Sequence, residues 1–203
     1  VLMTSAAHRS EDSLARLACE GLAKRRQVRV LVGGLGMAFT LRAALDALGR
    51  DAFVTVAELN TVVVRWCRGA LAGLTDRAVE DPRASVVVAN VADVIAKAAA
   101  PGAVNRYDAI AIDLYEGPPA RLADDDVLYG PSATAAVYRA LKPGGRYAVW
   151  SEKASPAFER ALRSAGFKHE LQRGGRGGSV HLVYLAHVPE ARGPARPSAG
   201  SRR

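Results

Sequence analysis

Cysteine is scarce in this chain of 203 residues: Cys19 and Cys67 are the whole supply, and they show no metal-type spacing. Two thiols make no disulfide framework, so the chain reads as one suited to a reducing cytoplasm. Aromatic residues are only 6% of the sequence, which leaves the core to aliphatic side chains and alanine. No apolar run approaches the roughly 18 residues of a membrane span, and no basic-then-apolar leader opens the sequence. There is no internal repeat and no sign of a second hydrophobic unit, and the length suits one domain with a sizeable core. Acids are outnumbered, 20 against 28 Lys and Arg, for a net charge of +8. Much of the excess falls late, at Arg173, Arg176, Arg192, Arg196, Arg202 and Arg203. A basic end can meet nucleic acid or an anionic substrate. No aromatic residue interleaves with these arginines, so base stacking lacks support and a solvated tail is the plainer reading.

What the chain does have is concentrated between Val28 and Leu59. Val28, Val30, Leu31 and Val32 form a β-branched run of the kind buried on both faces of a parallel sheet. Gly33, Gly34 and Gly36 follow at once and allow a sharp turn close to a ligand, because no Cβ intervenes. Phe39 to Leu48 resumes at helical spacing, with Leu41, Ala44, Leu45 and Leu48 on one side, and Gly49 stops it. Phe53 to Ala57 is a second apolar strand with Glu58 at its carboxyl end. A carboxylate roughly 20 residues beyond a glycine turn is where a Rossmann-type fold grips a ribose diol. Glu58 can accept from both hydroxyls.

The flanking segments extend this pattern. Ser10 is placed to cap a helix through Glu11, Leu14, Leu17, Ala18 and Leu22 that covers the nucleotide end of the sheet, bringing His8, Ser10 and Glu11 near the site mouth. After Asn60, a helix from Thr61 to Leu74 puts Val62, Trp66, Leu71 and Leu74 in the core. Residues 76–83 read as a polar loop and 85–88 as a third strand. Asn90 then stands either as a helix cap or where such folds read the adenine edge. Tyr107 to Leu114 is a fourth strand, and Asp113 closes it. Ligands of doubly wound sheets bind outside the carboxyl ends of the strands. Asp113 and Glu116 therefore face the same crevice as Gly34 and Glu58, where an acid can orient or deprotonate a nucleophile. Residues 121–130 are acidic and suggest a lid, and Ser132 is placed to cap the next helix. Lys142 to Gly145 is a tight turn, Arg146 to Trp150 is a fifth strand, and Ser151 and Glu152 lie at the crevice edge. Two last strands, near 167–172 and 180–187, flank a Gly/Arg loop as an antiparallel hairpin. The fold class is thus α/β, a doubly wound, Rossmann-like, seven-stranded sheet with an antiparallel carboxyl-terminal hairpin. Residues 1–24 form a helical extension, 25–188 the nucleotide-binding domain, and 189–203 a disordered basic tail.

The order VLVGGLG, VAEL, VVVAN, YDAIAIDLYEGP and LKPGG resembles the S-adenosylmethionine-dependent methyltransferase fold over roughly residues 25–187, and most of all its spermidine synthase-like branch. Many methyltransferases carry an acid two residues before the Gly34–Gly36 pair; Val32 holds that place here, and spermidine synthases lack the acid too. The resemblance implies S-adenosylmethionine as cofactor, with Gly33, Gly34 and Gly36 bordering its methionine portion. It places Glu58 and Leu59 at the ribose, Asn90 and Val91 at the adenine, and Asp113, Tyr115 and Glu116 at the chemistry. Gly36 stands where the branch has the aspartate that holds an aminopropyl ammonium, Asn90 replaces its adenine-reading aspartate, and Glu116 its second catalytic acid. Tyr115 is an added aromatic. A single helix around Leu14 stands in place of the branch's small β-stranded domain. These departures favour methyl transfer to a small-molecule nucleophile over aminopropyl transfer from decarboxylated S-adenosylmethionine. A non-catalytic nucleoside- or nucleic-acid-binding protein is a third reading. A nicotinamide dehydrogenase fits less well, because Phe39 stands where the third fingerprint glycine belongs. Pairing through edge strands or the first helix would make a homodimer, though nothing in the sequence requires one.

Overall fold

A computed structural model of the chain describes residues 9–174 and 181–190. His8, Arg176, the loop 175–180 and residues 191–203 lie outside the described residues. Seven strands form one sheet: β1 (Arg29–Gly33), β2 (Phe53–Glu58), β3 (Ala84–Val88), β4 (Tyr107–Ile112), β5 (Leu141–Ser151), β6 (Lys168–Gly174) and β7 (His181–His187). Their order is β3-β2-β1-β4-β5-β7-β6, with β7 antiparallel to both neighbours and the other pairs parallel. The α/β doubly wound expectation, hairpin included, is what forms. The helices are α1 (Arg9–Cys19), α2 (Phe39–Ala47), α3 (Thr61–Arg68), α4 (Val91–Ala99), α5 (Pro131–Ala140) and α6 (Pro156–Ala165).

Strand periodicity builds the two faces. Val30, Val32, Val54, Val56, Ala109, Ala111 and Ala148 face one core, shared with α1 and α2. Leu31, Ile110, Ile112, Tyr147 and Val149 face the other, shared with α4, α5 and α6. On β4 the first face carries only alanines while the second carries isoleucines. The small side chains let α1 settle against β4, where Leu14, Ala15, Ala18 and Cys19 are buried. Residues 9–22 therefore belong to the core of the domain and are not an appendage. On the opposite face Phe158 stands edge-on to Tyr129, Tyr147 and Tyr184, with ring centroids 5.5, 6.2 and 5.1 Å away. Few as the aromatics are, four of them meet at one point.

Several local expectations are corrected. Ser10 lies inside α1, which begins at Arg9, and its hydroxyl donates to Glu11 at 2.5 Å. The helix lies along α2 and the sheet, so only its first turn reaches the carboxyl ends of the strands. Helix α3 stops at Arg68, with Val64 and Cys67 buried, while Trp66 and Leu74 are 55% and 45% exposed. The sequence spacing was compatible with either face; the inward face carries Cys67, whose thiol donates to the Gly36 carbonyl. Residues 78–80, read as loop, form a 3-10 turn that buries Ala78 and Val79. Pro131 opens α5 with Gly130 as its cap, so Ser132 does no capping. In the 121–130 segment the Asp126 carboxylate accepts from the Leu128 and Tyr129 amides at 2.9 and 2.7 Å, forming a local turn that leads into buried Tyr129, while most of 121–127 is exposed. The Lys142–Gly145 turn is absorbed into β5 as an irregularity, its pairing with β4 jumping from Tyr107–Leu141 to Ala109–Arg146. Among the described residues no helix is long and apolar enough to cross a membrane.

At the amino ends of the strands sits a buried acid, Asp108. Its Oδ2 accepts from the Arg29 amide at 2.8 Å and from Lys142 Nζ at 2.6 Å, which ties β1, β4 and β5 together. Replacing it leaves a buried amide unsatisfied and removes a partner of a half-exposed lysine. Asp108→Ala is expected to lower unfolding free energy by about 3 kcal/mol in a urea titration, with little effect at the far end of the sheet.

Candidate functional site

The crevice forms where β1, β2 and β4 run out together. Gly33 pairs with Ala57 on one side and Ile112 on the other, and Glu58 pairs with Val88. The ladder continues one step into the loops. The Gly34 amide donates to Ala57 at 2.9 Å, the Asp113 amide to Gly33 at 2.8 Å, and the Ala89 amide to Glu58 at 3.1 Å. Gly34, Glu58, Asn90 and Asp113 thus share one edge, as the sequence led us to expect.

The glycine turn is demanding at Gly34. Its φ is +94°, and a Cβ there would stand 2.3 Å from the Asp113 carbonyl oxygen. At Gly33 a Cβ would meet Ile112 and Val91 side chains at 2.8 and 2.9 Å. The Val91 side chain is therefore packed beneath the turn. Leu59, by contrast, is 69% exposed beside the crevice. Gly36 also has positive φ, and its carbonyl accepts from the buried Cys67 thiol at 3.3 Å. Burial, with the Glu58 charge adding to it, pushes that thiol up to about 11, so it stays protonated and serves as a donor to the turn. Nothing in the sequence pattern marked Cys67 for this role.

Glu58 is half-buried, and both of its oxygens are oriented by backbone. Oε2 accepts from the Leu35 amide at 2.9 Å and Oε1 from the Asn60 amide at 2.7 Å. Each carboxylate oxygen keeps a second lone pair for a hydroxyl. Asn90 caps α4, its Oδ1 accepting from the Ala92 amide at 2.9 Å, so the capping role is realised and the side-chain NH2 is left to donate elsewhere.

Asp113 is the chemically distinctive group. Burial pushes its carboxyl up to about 6; the hydroxyl of Thr40 donates to Oδ2 and opposes that rise, while the Glu11 charge adds to it. Glu11 on α1 thus reaches the site electrostatically. Thr40, in the first turn of α2, is 2% exposed. The available signal was its spacing: residues 40, 44 and 48 share one helix face, and only Thr40 is polar there. Tyr129 is a second group that sequence reasoning missed. Its phenol is raised by burial, with Asp126 and Asp113 contributing.

Beyond Asp113 the loop presses onto the end of β5. Glu116 and Gly117 both adopt positive φ, and a Cβ on Gly117 would stand 2.3 Å from the Trp150 carbonyl. A left-handed glutamate is a strained residue of the kind that persists at functional loops. Its side chain and Tyr115 (68% exposed) are open to solvent. Ser151 is buried and bonds Lys153 within its own turn, so it leaves the crevice edge to Glu152. A separate cleft of about 460 Å³ opens between α1 and α2, lined by Arg16, Arg42, Asp46 and Leu74 among others, and includes none of these residues.

No protein-family model and no curated protein matches the chain. Solved structures do share its fold. It is similar to the spermidine synthase of Thermotoga maritima, at 23% identity and TM-score 0.64, over 88% of this chain and 59% of that one. It also resembles human methyltransferase-like protein 13 in complex with S-adenosylhomocysteine, at 18% identity and TM-score 0.62, over 95% of this chain and 85% of that one. A third is the O-methyltransferase TomG of Streptomyces achromogenes in complex with S-adenosylmethionine, at 15% identity and TM-score 0.62, over 93% of this chain and 82% of that one. The chain spans about three fifths of the length of the spermidine synthase. The fold is that of the S-adenosylmethionine-dependent methyltransferases and spermidine synthases.

Two outcomes follow from this geometry. Gly34→Ala is expected to cost more than about 2 kcal/mol of stability, because strain at positive φ adds to a backbone clash. For Asp113 the folded carboxyl lies at about 6 against an ordinary 3.8, so the folded state holds the proton more tightly. Its contribution to stability is therefore greatest below pH 4 and is lost as pH rises through 6. Asp113→Asn removes that loss. At pH 8 it should match or exceed the wild type by up to about 3 kcal/mol, with the difference closing between pH 6 and pH 4 in thermal melts.

Proposed function

We propose that this protein is an S-adenosylmethionine-dependent transferase that methylates a small-molecule nucleophile. The observation that carries the reading is Glu58, a carboxylate held by two backbone amides at the carboxyl end of β2, across from the left-handed Gly34. The residues suit the cofactor. At Gly33 and Gly34 the place of a Cβ is already taken by Ile112, Val91 and the Asp113 carbonyl, so only glycine lets the turn run this tightly between β1 and β4. Glu58 keeps a free lone pair on each oxygen for the two ribose hydroxyls. The Asn90 NH2 can donate to an adenine ring nitrogen while its oxygen stays on α4. Leu59 supplies an apolar surface beside them.

S-adenosylmethionine, when bound, supplies a methyl carbon on a sulfonium, whose C–S electron pair stays on sulfur as the acceptor's lone pair takes the carbon. The chain's own work is then positional and protic. Asp113 is predominantly ionised at neutral pH, with its carboxyl near 6, and accepts the proton that the nucleophile gives up. A carboxyl poised there is a better base than one at its ordinary value and still largely charged when needed. Tyr115, Glu116 and Glu152 stand at the outer side, where the acceptor enters.

Aminopropyl transfer is the second reading, supported by the likeness in fold to spermidine synthases. Against it, Gly36 offers no carboxylate to hold the aminopropyl ammonium.

Calorimetric titration with S-adenosylmethionine, S-adenosylhomocysteine and decarboxylated S-adenosylmethionine separates the readings. Methyl transfer expects the first two to bind, with Glu58→Ala and Glu58→Gln weakening them by about tenfold or more, since hydrogen bonds to a charged group are lost. Preference for the decarboxylated compound would restore the polyamine reading. Binding without turnover across an acceptor screen would favour a non-catalytic binder, and no binding at all would sink both transferase readings.

A further inference from the structure

The Asp113 carboxylate is held from two directions. Its backbone amide is fixed to β1 through Gly33, at 2.8 Å, and its Oδ2 receives the hydroxyl of Thr40 from the first turn of α2. Oδ1 has no hydrogen-bond partner among the described residues. Thr40 is itself buried, its hydroxyl bonds this carboxylate, and the helix that carries it packs against both the sheet and α1. A buried hydroxyl on an otherwise apolar helix face is costly unless it bonds. Its bond here is to the one acid at the crevice floor.

We propose that Thr40 is the positioning residue of this site: by donating to Oδ2 it fixes the plane of the Asp113 carboxylate and leaves Oδ1 as the oxygen that receives the acceptor's proton. This inference rests on the transferase reading and specifies how its base is held. The proton leaves the acceptor, forms an O–H bond at Oδ1, and later passes to solvent. Thr40 keeps its own proton directed at Oδ2 throughout, so no charge is moved through the helix. A carboxylate free to rotate would present either oxygen, through its more basic syn or its less basic anti lone pair, and the geometry of proton transfer would be lost.

The groups facing Asp113 from its neighbours set what the hydroxyl must do. Glu11 approaches from α1 and disfavours the charge, Tyr129 approaches from the segment before α5, and Glu116 belongs to the same loop. Burial disfavours the charge most of all. The Thr40 hydrogen bond is the interaction that opposes both. Without it, the carboxylate would ionise later and would lose its orientation.

The test reads the carboxyl directly. In protein carrying 13C-labelled aspartate carboxyls, the Asp113 signal, assigned by its loss in Asp113→Asn, is followed from pH 4 to 9. Thr40→Val and Thr40→Ala both remove the hydroxyl, the first with the shape kept. Each is expected to raise the midpoint by about one pH unit, and Thr40→Ser to return it. With an acceptor in hand, the acidic limb of kcat should move with the midpoint, falling about tenfold below it, while the KM for S-adenosylmethionine stays within about twofold. An unchanged midpoint in both hydroxyl-free variants overturns the proposal. So does a loss of kcat that Thr40→Ser fails to rescue. The titration needs no cofactor, so failure of S-adenosylmethionine to bind the wild type would count against the transferase reading alone and would be seen separately.

Discussion

The tight approach of two main chains, Gly34 against Asp113, is the constraint on which the crevice depends. A Cβ on Gly34 would stand 2.3 Å from the Asp113 carbonyl. Because that atom is missing, β1 and β4 can end side by side and still turn apart. The left-handed backbone at Gly34 then sends the turn toward β2, where Glu58 takes up the Leu35 amide. The departure of β4 sends Asp113 under α2, where Thr40 meets it. One glycine thus fixes the separation of the two carboxylates, one beside a nucleoside's sugar in our reading and the other beside the reacting centre. A side chain at this place would move both.

Charge is distributed against the trend of the chain. The protein carries +8, yet the carboxyl end of its sheet presents Glu58, Asp113, Glu11 and Glu116. Asp108, the acid at the opposite end, has a lysine at 2.6 Å and works as a fastener. Asp113 has a hydroxyl instead, and its carboxyl sits near 6. The contrast separates two uses of a buried acid. One is satisfied by a cation and contributes to the fold, and the other is left under tension and is available to a substrate.

The strand-and-helix skeleton was legible because the periodicities are clean: β4 alternates alanine and isoleucine over Ala109–Ile112, and α6 is opened by Ser155-Pro156 and closed by Gly166. The placement of Gly34, Glu58 and Asp113 at the carboxyl ends of β1, β2 and β4 was legible because each closes or follows a short apolar run. What escaped depended on third-dimensional proximity. Trp66 and Cys67 are adjacent in sequence and amphipathic spacing allowed either to face inward; only packing against Gly36 and Glu58 selects the thiol. Thr40 and Asp113 are 73 residues apart, and no local pattern pairs them. Ser10 and Ser132 both sat where a cap was plausible, yet Ser10 lies within the described α1 and a proline opens α5. Caps are local, but which residue begins a helix is decided by what the helix packs against.

The way the acids are committed bears on which group is transferred. A dication entering this crevice must have both ammoniums desolvated and matched by carboxylates. Glu58 already orients two amides, and Asp113 has given one oxygen to Thr40, so one outward-facing oxygen is what the floor of the site offers. Gly36 contributes no side chain. Tyr115, Glu116 and Glu152 are exposed, where water screens an ammonium's partner and reduces its value. A single oriented oxygen is well matched to a nucleophile that surrenders one proton and carries no second charge. In the transferase reading we propose, this constraint on the floor of the crevice suits a neutral hydroxyl or amine methylated at one position better than a polyamine extended along a row of acids.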